Sequence, residues 1–167
     1  MSKLTSGGKS GIIAGVLYGA IMGVNYHFIL VYHKSVIMQI ITNSLTPNST
    51  FTADQLYNAT LYGIIIVFII LGLIVGAILG LIFGAVYDRI PGKKATMRGL
   101  VFGLIIWVIL DVLLNFRDLV YGVLYLIQSL GIGLVASLVY GYVMGLIFER
   151  YMKREEPIED PFADIMG

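Results

Sequence analysis

No cysteine occurs anywhere in the chain, which excludes disulfides, thiolate metal sites and cysteine nucleophiles together. Charge is scarce as well. Asp, Glu, Lys and Arg supply 13% of the residues, against about 25% in a soluble domain, so there is too little polar surface to cover a water-facing globule. A formal net charge of +1 leaves no concentrated basic face for nucleic acid. The only histidines, His27 and His33, stand six positions apart and so on different faces of one helix. No HExxH motif or acidic cluster completes a coordination shell, and no metal is expected. A nucleophile elbow, a P-loop and a dinucleotide fingerprint are all missing, so neither an enzyme nor a cofactor is expected.

What is present is apolar. Hydrophobic residues make up 58% of the chain and its mean hydropathy is +0.90, which fits an integral membrane protein, with the lipid bilayer as its first partner. A bilayer core of about 30 Å takes roughly 20 helical residues, and four stretches qualify: about 10–33, 61–87, 98–117 and 123–149. Lys3 and Lys9 precede the first as they do in a signal peptide. That run has no small-x-small cleavage site, and it reads as a retained helix.

Basic residues fix the expected orientation. Arg89, Lys93, Lys94 and Arg98 lie between the second and third runs, Arg150, Lys153 and Arg154 after the fourth, and Lys3 and Lys9 before the first. The opposite connections hold only Lys34 and Arg117, so the positive-inside rule puts both termini in the cytoplasm of a multi-pass cell-membrane protein. The sequons at Asn48 and Asn58 fall in the long outer connection, 34–60. There KSVIMQIITNSL has mixed polarity, TPNST is a turn cluster, and Thr52-x-x-Gln55 is a capping-box pattern, so the first two helices are expected to project outward as a helical hairpin.

The chain repeats itself. Residues 72–89 align without gaps on 133–150, with identities at Gly72/Gly133, Leu73/Leu134, Gly80/Gly141, Gly84/Gly145 and Arg89/Arg150. The first and third runs align as well, with Gly11 and Gly15 on Gly99 and Gly103, Gly19 on Trp107, Gly23 on Asp111 and His27 on Asn115. The expected fold is therefore all-α: four transmembrane helices as two tandem helical hairpins, in parallel orientation about an axis along the membrane normal. The first hairpin is 10–90 after a cytoplasmic tail, 1–9. The second is 91–154, followed by an acidic, disordered cytoplasmic tail, 155–167, whose Phe162 and Ile165 read either as a docking element or as part of a solvated end.

Small residues recur every four positions at Gly11-Gly15-Gly19-Gly23, Gly72-Gly76-Gly80-Gly84, Gly99-Gly103 and Gly133-Ser137-Gly141-Gly145. Residues i and i+4 share a helical ridge. Lipid tails are as apolar as leucine, so association relies on close backbone contact, which small ridges permit, with right-handed crossings near −40° expected. These ridges predict helix–helix contacts, either within the chain or with a second copy. Asp88-Arg89 and Glu149-Arg150 close the second and fourth helices. Two readings stand: pairs across the axis, Asp88 with Arg150 and Glu149 with Arg89, or headgroup-level charges that stop each span.

Ionisable groups within a span are costly and point to function. Asp111 is the candidate, with Asn115 and Asp118 on its stripe. His27 and Asn25 on the first helix and Gln128 on the fourth are expected at a similar depth. One reading is an outward polar pocket in which a His27–Asp111 pair relays protons or holds a cation or small polar ligand. The other is interhelical hydrogen bonding that fixes packing, or simple placement at the outer interface.

The stretch FGAVYDRIPGKKATMRGLVFGLIIWVI resembles a pattern in small, uncharacterised polytopic membrane proteins of prokaryotes, archaeal ones especially. It covers about the second and third helices and their turn. The resemblance implies a membrane protein and carries over no functional residue. The function expected is that of a helix-packing or accessory component, self-associating or within a membrane complex. The alternative is a small transporter or channel.

Overall fold

The computed structural model describes residues 2–46, 49–112 and 123–153. Everything regular in it is helical. α1 runs Lys3–Tyr32, α2 Lys34–Ser44, α3 Ala53–Val86, α4 Ala95–Ile106 and α5 Val123–Lys153. A 3₁₀ turn, Tyr87–Arg89, ends α3, and a π-helical segment, Trp107–Val112, extends α4. α1, α3 and α5 are long and apolar enough to cross a membrane, whereas the apolar stretch Ala95–Leu110 is shorter. The part of the third run beyond Val112 lies outside the described residues, as do Arg117 and Asp118.

The caps explain where the helices start. Ser2 is extended and its side chain accepts from the Thr5 N–H, so α1 begins at Lys3 and takes in residues 3–9 of the segment expected as a tail. Thr52 and Gln55 form the reciprocal capping box that opens α3. The connection expected as a long loop, 34–60, is accordingly helical in part. α2 continues from α1 after a break at His33, and α3 begins eight residues before the apolar run at Leu61. At 1.5 Å per residue the 34 residues of α3 span about 51 Å, well beyond a 30 Å hydrocarbon core. Tyr57 joins this outer part to α1: its hydroxyl donates to the Leu30 carbonyl at 3.0 Å, and the Lys34 ammonium lies 5.2 Å from its ring centroid.

α1 and α3 run antiparallel, backbone against backbone. A Cβ on Gly11 would stand 2.6 Å from the Cα of Gly80, one on Gly15 2.8 Å from that of Gly76, and one on Gly72 2.9 Å from that of Gly19. Gly7 extends the contact to Gly84, and Gly23 ends it against Ile65. α4 and α5 pair the same way, with Gly99 against Gly141 and Gly145, and Gly103 against Ser137 and Gly141. α1 also lies along α5 in the opposite direction: the Tyr18 and Tyr140 rings meet edge-on at 6.1 Å, and Lys9 sits over Tyr151. It follows that α1 and α4 point one way, and α3 and α5 the other.

The buried core gathers where α3 and α5 end. Phe83, fully buried, touches Tyr87, Phe102 and Phe148 at centroid distances of 5.3–5.5 Å, joining α3 to α4 and α5. Gly92 turns the chain from α3 to α4 with φ +146°, a conformation that a Cβ strains. Arg98 clamps that turn, donating to the carbonyls of Gly92 and Tyr87 at 2.9 and 3.1 Å while its guanidinium covers the Tyr87 ring.

Candidate functional site

Three polar side chains within the apolar helices, His27, Trp107 and Tyr140, are met by backbone carbonyls of neighbouring helices. His27, half-buried on α1, donates through Nδ1 to the Leu61 carbonyl of α3 at 3.0 Å. That bond places the neutral ring's proton on Nδ1. Trp107 donates from its indole to the Leu130 carbonyl of α5 at 3.0 Å. Tyr140 on α5 donates to the Gly76 carbonyl of α3 at 3.2 Å. Asn25 is buried on α1, and Gln128 is exposed on α5. The backbone of Asp111 lies in the π-helical segment, while its side chain, like all of Asn115, lies outside the described residues. Of the expected pocket, the side chains of His27, Asn25 and Gln128 are described and those of Asp111 and Asn115 are not, and His27 bonds to α3. Asn58 is exposed on α3, and Asn48 lies outside the described residues.

Trp107 also marks a change in packing. It follows Gly103 by one helical turn, where the small-residue contact with α5 gives way and α4 passes into π geometry. Beside this point is an apolar cleft of about 130 Å³, walled by Tyr18, Phe68, Leu79, Ile106, Leu110 and Tyr140 among others. The buried Ser137 also lines it, and its hydroxyl has no hydrogen-bond partner among the described residues. Tyr140→Phe removes a hydroxyl bond from α5 to the α1–α3 contact. Its expected cost is about 0.6 kcal/mol, the average for an interhelical bond in a membrane protein, read as a shift in detergent-induced unfolding.

At the other end, the charged pairs differ from the cross-axis scheme. Asp88 bonds Lys3, with its carboxylate oxygens 2.6 and 2.9 Å from Nζ, and stands 3.9 Å from Arg98; Glu149 bonds Lys153 at 2.8 Å. The reason is local. The 3₁₀ turn carries Asp88 to the start of antiparallel α1, whereas Glu149 is still helical and meets the residue four further on. Arg89 and Arg150 join no ion pair among the described residues. Gly133 is buried in α5.

A model of a family of unknown function, DUF6789, matches residues 1–159. The chain belongs to the DUF6789 family. No curated protein and no solved structure matches it. The match takes in all five helices of this DUF6789 chain, α1's first turns included.

Several residues that matter in this DUF6789 bundle have no place in the sequence reading above. Gly7 continues the four-residue spacing of Gly11 back by one step, a signal that was there to be followed. Lys3 as partner of Asp88, Arg98 as turn clamp and Tyr140 as cross-helix donor had no such signal, since each depends on which helices are neighbours. Among the described residues, no group of three or more His, Asp or Glu is placed to hold a metal ion.

Proposed function

We propose that this is an integral protein of the cell membrane with four spans, made of two copies of a glycine-zippered hairpin in parallel orientation and with both termini cytoplasmic. It acts as a helix-packing or accessory component, self-associating or joining a larger membrane complex, and has no catalytic role. The observation that carries this reading is the use of its polar side chains. His27, Trp107 and Tyr140 each bond a carbonyl of another helix, an arrangement that fixes helix positions. Two features support the repeat: the shared direction of α1 with α4 and of α3 with α5, and the matching small-residue contacts within each pair. With those contacts inside the chain, the surface left for partners is the outer face of α3, where Ile66, Ile70, Ile74 and Ile78 are exposed at four-residue spacing.

Native mass spectrometry of the protein extracted from its own membranes tests the reading. The expected result is a defined multimer or a stoichiometric membrane partner; a bare monomer under gentle extraction contradicts it. A second reading, a small transporter or channel, draws on one observation, the π-helical segment that carries Asp111. Such segments interrupt helices at functional sites with some frequency. His27→Ala and Asp111→Asn separate the two. The accessory role predicts weakened association, by about 1 kcal/mol per lost bond, and no pH- or ion-dependent flux in proteoliposomes. Intact association with loss of a measured flux favours transport.

A further inference from the structure

The two hairpins end differently at the Lys3–Lys153 end of the bundle. In the first, Ser2 caps α1 and Lys3 is held by Asp88, so the position where one helix begins against the end of its partner is closed by the chain's own groups. In the second, α4 starts from Lys94 in extended conformation with no side-chain cap. Here a cleft of about 490 Å³ opens between α4 and α5, lined by Lys94, Thr96, Leu146, Glu149, Arg150 and Lys153. Its one acid, Glu149, is bonded by Lys153 at 2.8 Å. Lys94 faces the same cleft and attracts the Glu149 carboxylate as well, and Arg150, also in the cleft, joins no ion pair among the described residues. A Cβ on Gly145 would stand 2.8 Å from the Cα of Thr96, so the first turn of α4 is fixed against α5 about one and a half turns before Arg150.

We propose that this cleft binds a phosphate group, with Lys94 and Arg150 as its counter-ions and the Thr96 hydroxyl and the uncapped first turn of α4 as donors. Three cations, Lys94, Arg150 and Lys153, line the cleft against the single carboxylate of Glu149, and a phosphate offers enough oxygens to meet the two in excess. The cleft also has an apolar wall, Leu146, and opens at the end of the membrane-crossing helices. A basic pocket so placed suits the headgroup of an anionic phospholipid. Inorganic phosphate shares the recognised chemistry and is the other source.

The test is native mass spectrometry of the full-length chain in mixed micelles, with phosphatidylglycerol or phosphatidylcholine titrated in. The chain's own acidic residues 155–160 are then present as competitors throughout. Lys94→Gln/Arg150→Gln is expected to weaken phosphatidylglycerol binding about thirtyfold, the effect of two cations near an anionic surface. Arg89→Gln/Lys93→Gln removes the same charge outside the cleft and should change binding by no more than about twofold. Displacement of the lipid by inorganic phosphate, sensitive to the Lys94/Arg150 pair, names free phosphate as the ligand; failure to displace names the lipid. Equal losses in the two double variants, or phosphatidylcholine binding as tightly as phosphatidylglycerol, overturn the proposal. All four side chains are exposed, and unchanged helical circular dichroism separates loss of binding from loss of fold.

Discussion

Gly76→Ile separates α1 from α3. The expected cost is about 3 kcal/mol, the upper part of the range for overpacking a tight interface, seen as a large drop in the SDS fraction needed to unfold the protein. Even the first added carbon is too much, because a Cβ at Gly76 stands 2.6 Å from the Cα of Gly15. The obstruction is backbone, so no side chain can turn aside and the helices themselves must move apart. Along the same ridge that movement also opens Gly72 against Gly19 and Gly80 against Gly11, and it withdraws the carbonyl that accepts from Tyr140. Gly63→Ala, on the same helix, is the contrast. Nothing lies within 4 Å of a Cβ there, so the substitution should gain up to about 1 kcal/mol from helix propensity. Equal shifts for Gly76→Ile and Gly63→Ile would mean that α1 and α3 do not meet on this ridge.

The four-residue spacing of the small residues is legible in the chain because it is a local property: each ridge lies on one helix, and the period alone defines it. Which ridge faces which is not local. Gly11 has the same spacing as Gly99, yet one lies against α3 and the other against α5, and only the antiparallel pairing of neighbouring helices decides this. Helix ends were legible where a cap uses adjacent residues, as at Thr52 and Gln55. Lys3 and Lys9 read as charges that precede the apolar run expected at about 10–33, which therefore begins later than α1. Ser2 in fact caps it, and Lys3 and Lys9 reach Tyr87 and Tyr151 at its water-facing end.

The polar residues show the same division. Their depth follows from counting residues along a helix, but their partners do not. His27 and Asp111 were set together by depth, whereas the His27 ring bonds the carbonyl of Leu61, a residue whose side chain gives no hint of the role. Backbone acceptors are invisible in a sequence because every residue carries one. The charges at the helix ends illustrate a further limit. Asp88 and Glu149 align with each other in the sequence, but one lies in a 3₁₀ turn and the other in a continuing helix, and that change of geometry selects Lys3 for the first and Lys153 for the second.

Phe83→Ala loosens one hairpin from the other and leaves each hairpin zipped. Phe83 is fully buried and contacts rings on both α4 and α5, whereas α3 and α4 share no ridge of small residues. Removing a buried phenylalanine costs 3–5 kcal/mol in water-soluble cores. Lipid tails surround this bundle and are as apolar as the lost ring, so the hydration part of that cost shrinks and the lost packing contacts remain. The cluster also lies beside Lys3, Asp88 and Arg98, near water, which retains some of the hydration part. The expected value is therefore about 3 kcal/mol, the low end of the soluble range. Phe83→Leu, which keeps much of the volume, should cost less than about 1.5 kcal/mol. Because the chain has no cysteine, spin labels can be placed cleanly at exposed positions. A pair at Ile78 on α3 and Ile105 on α4 should show a broadened distance distribution in Phe83→Ala. A pair at Leu17 on α1 and Leu73 on α3 should not change, since the glycine contacts hold those helices without Phe83. If both pairs broaden, the aromatic cluster supports the whole bundle; if neither does, the hairpins are joined through α1 and α5, where Tyr18 meets Tyr140. Either outcome removes Phe83 as the joint between the hairpins.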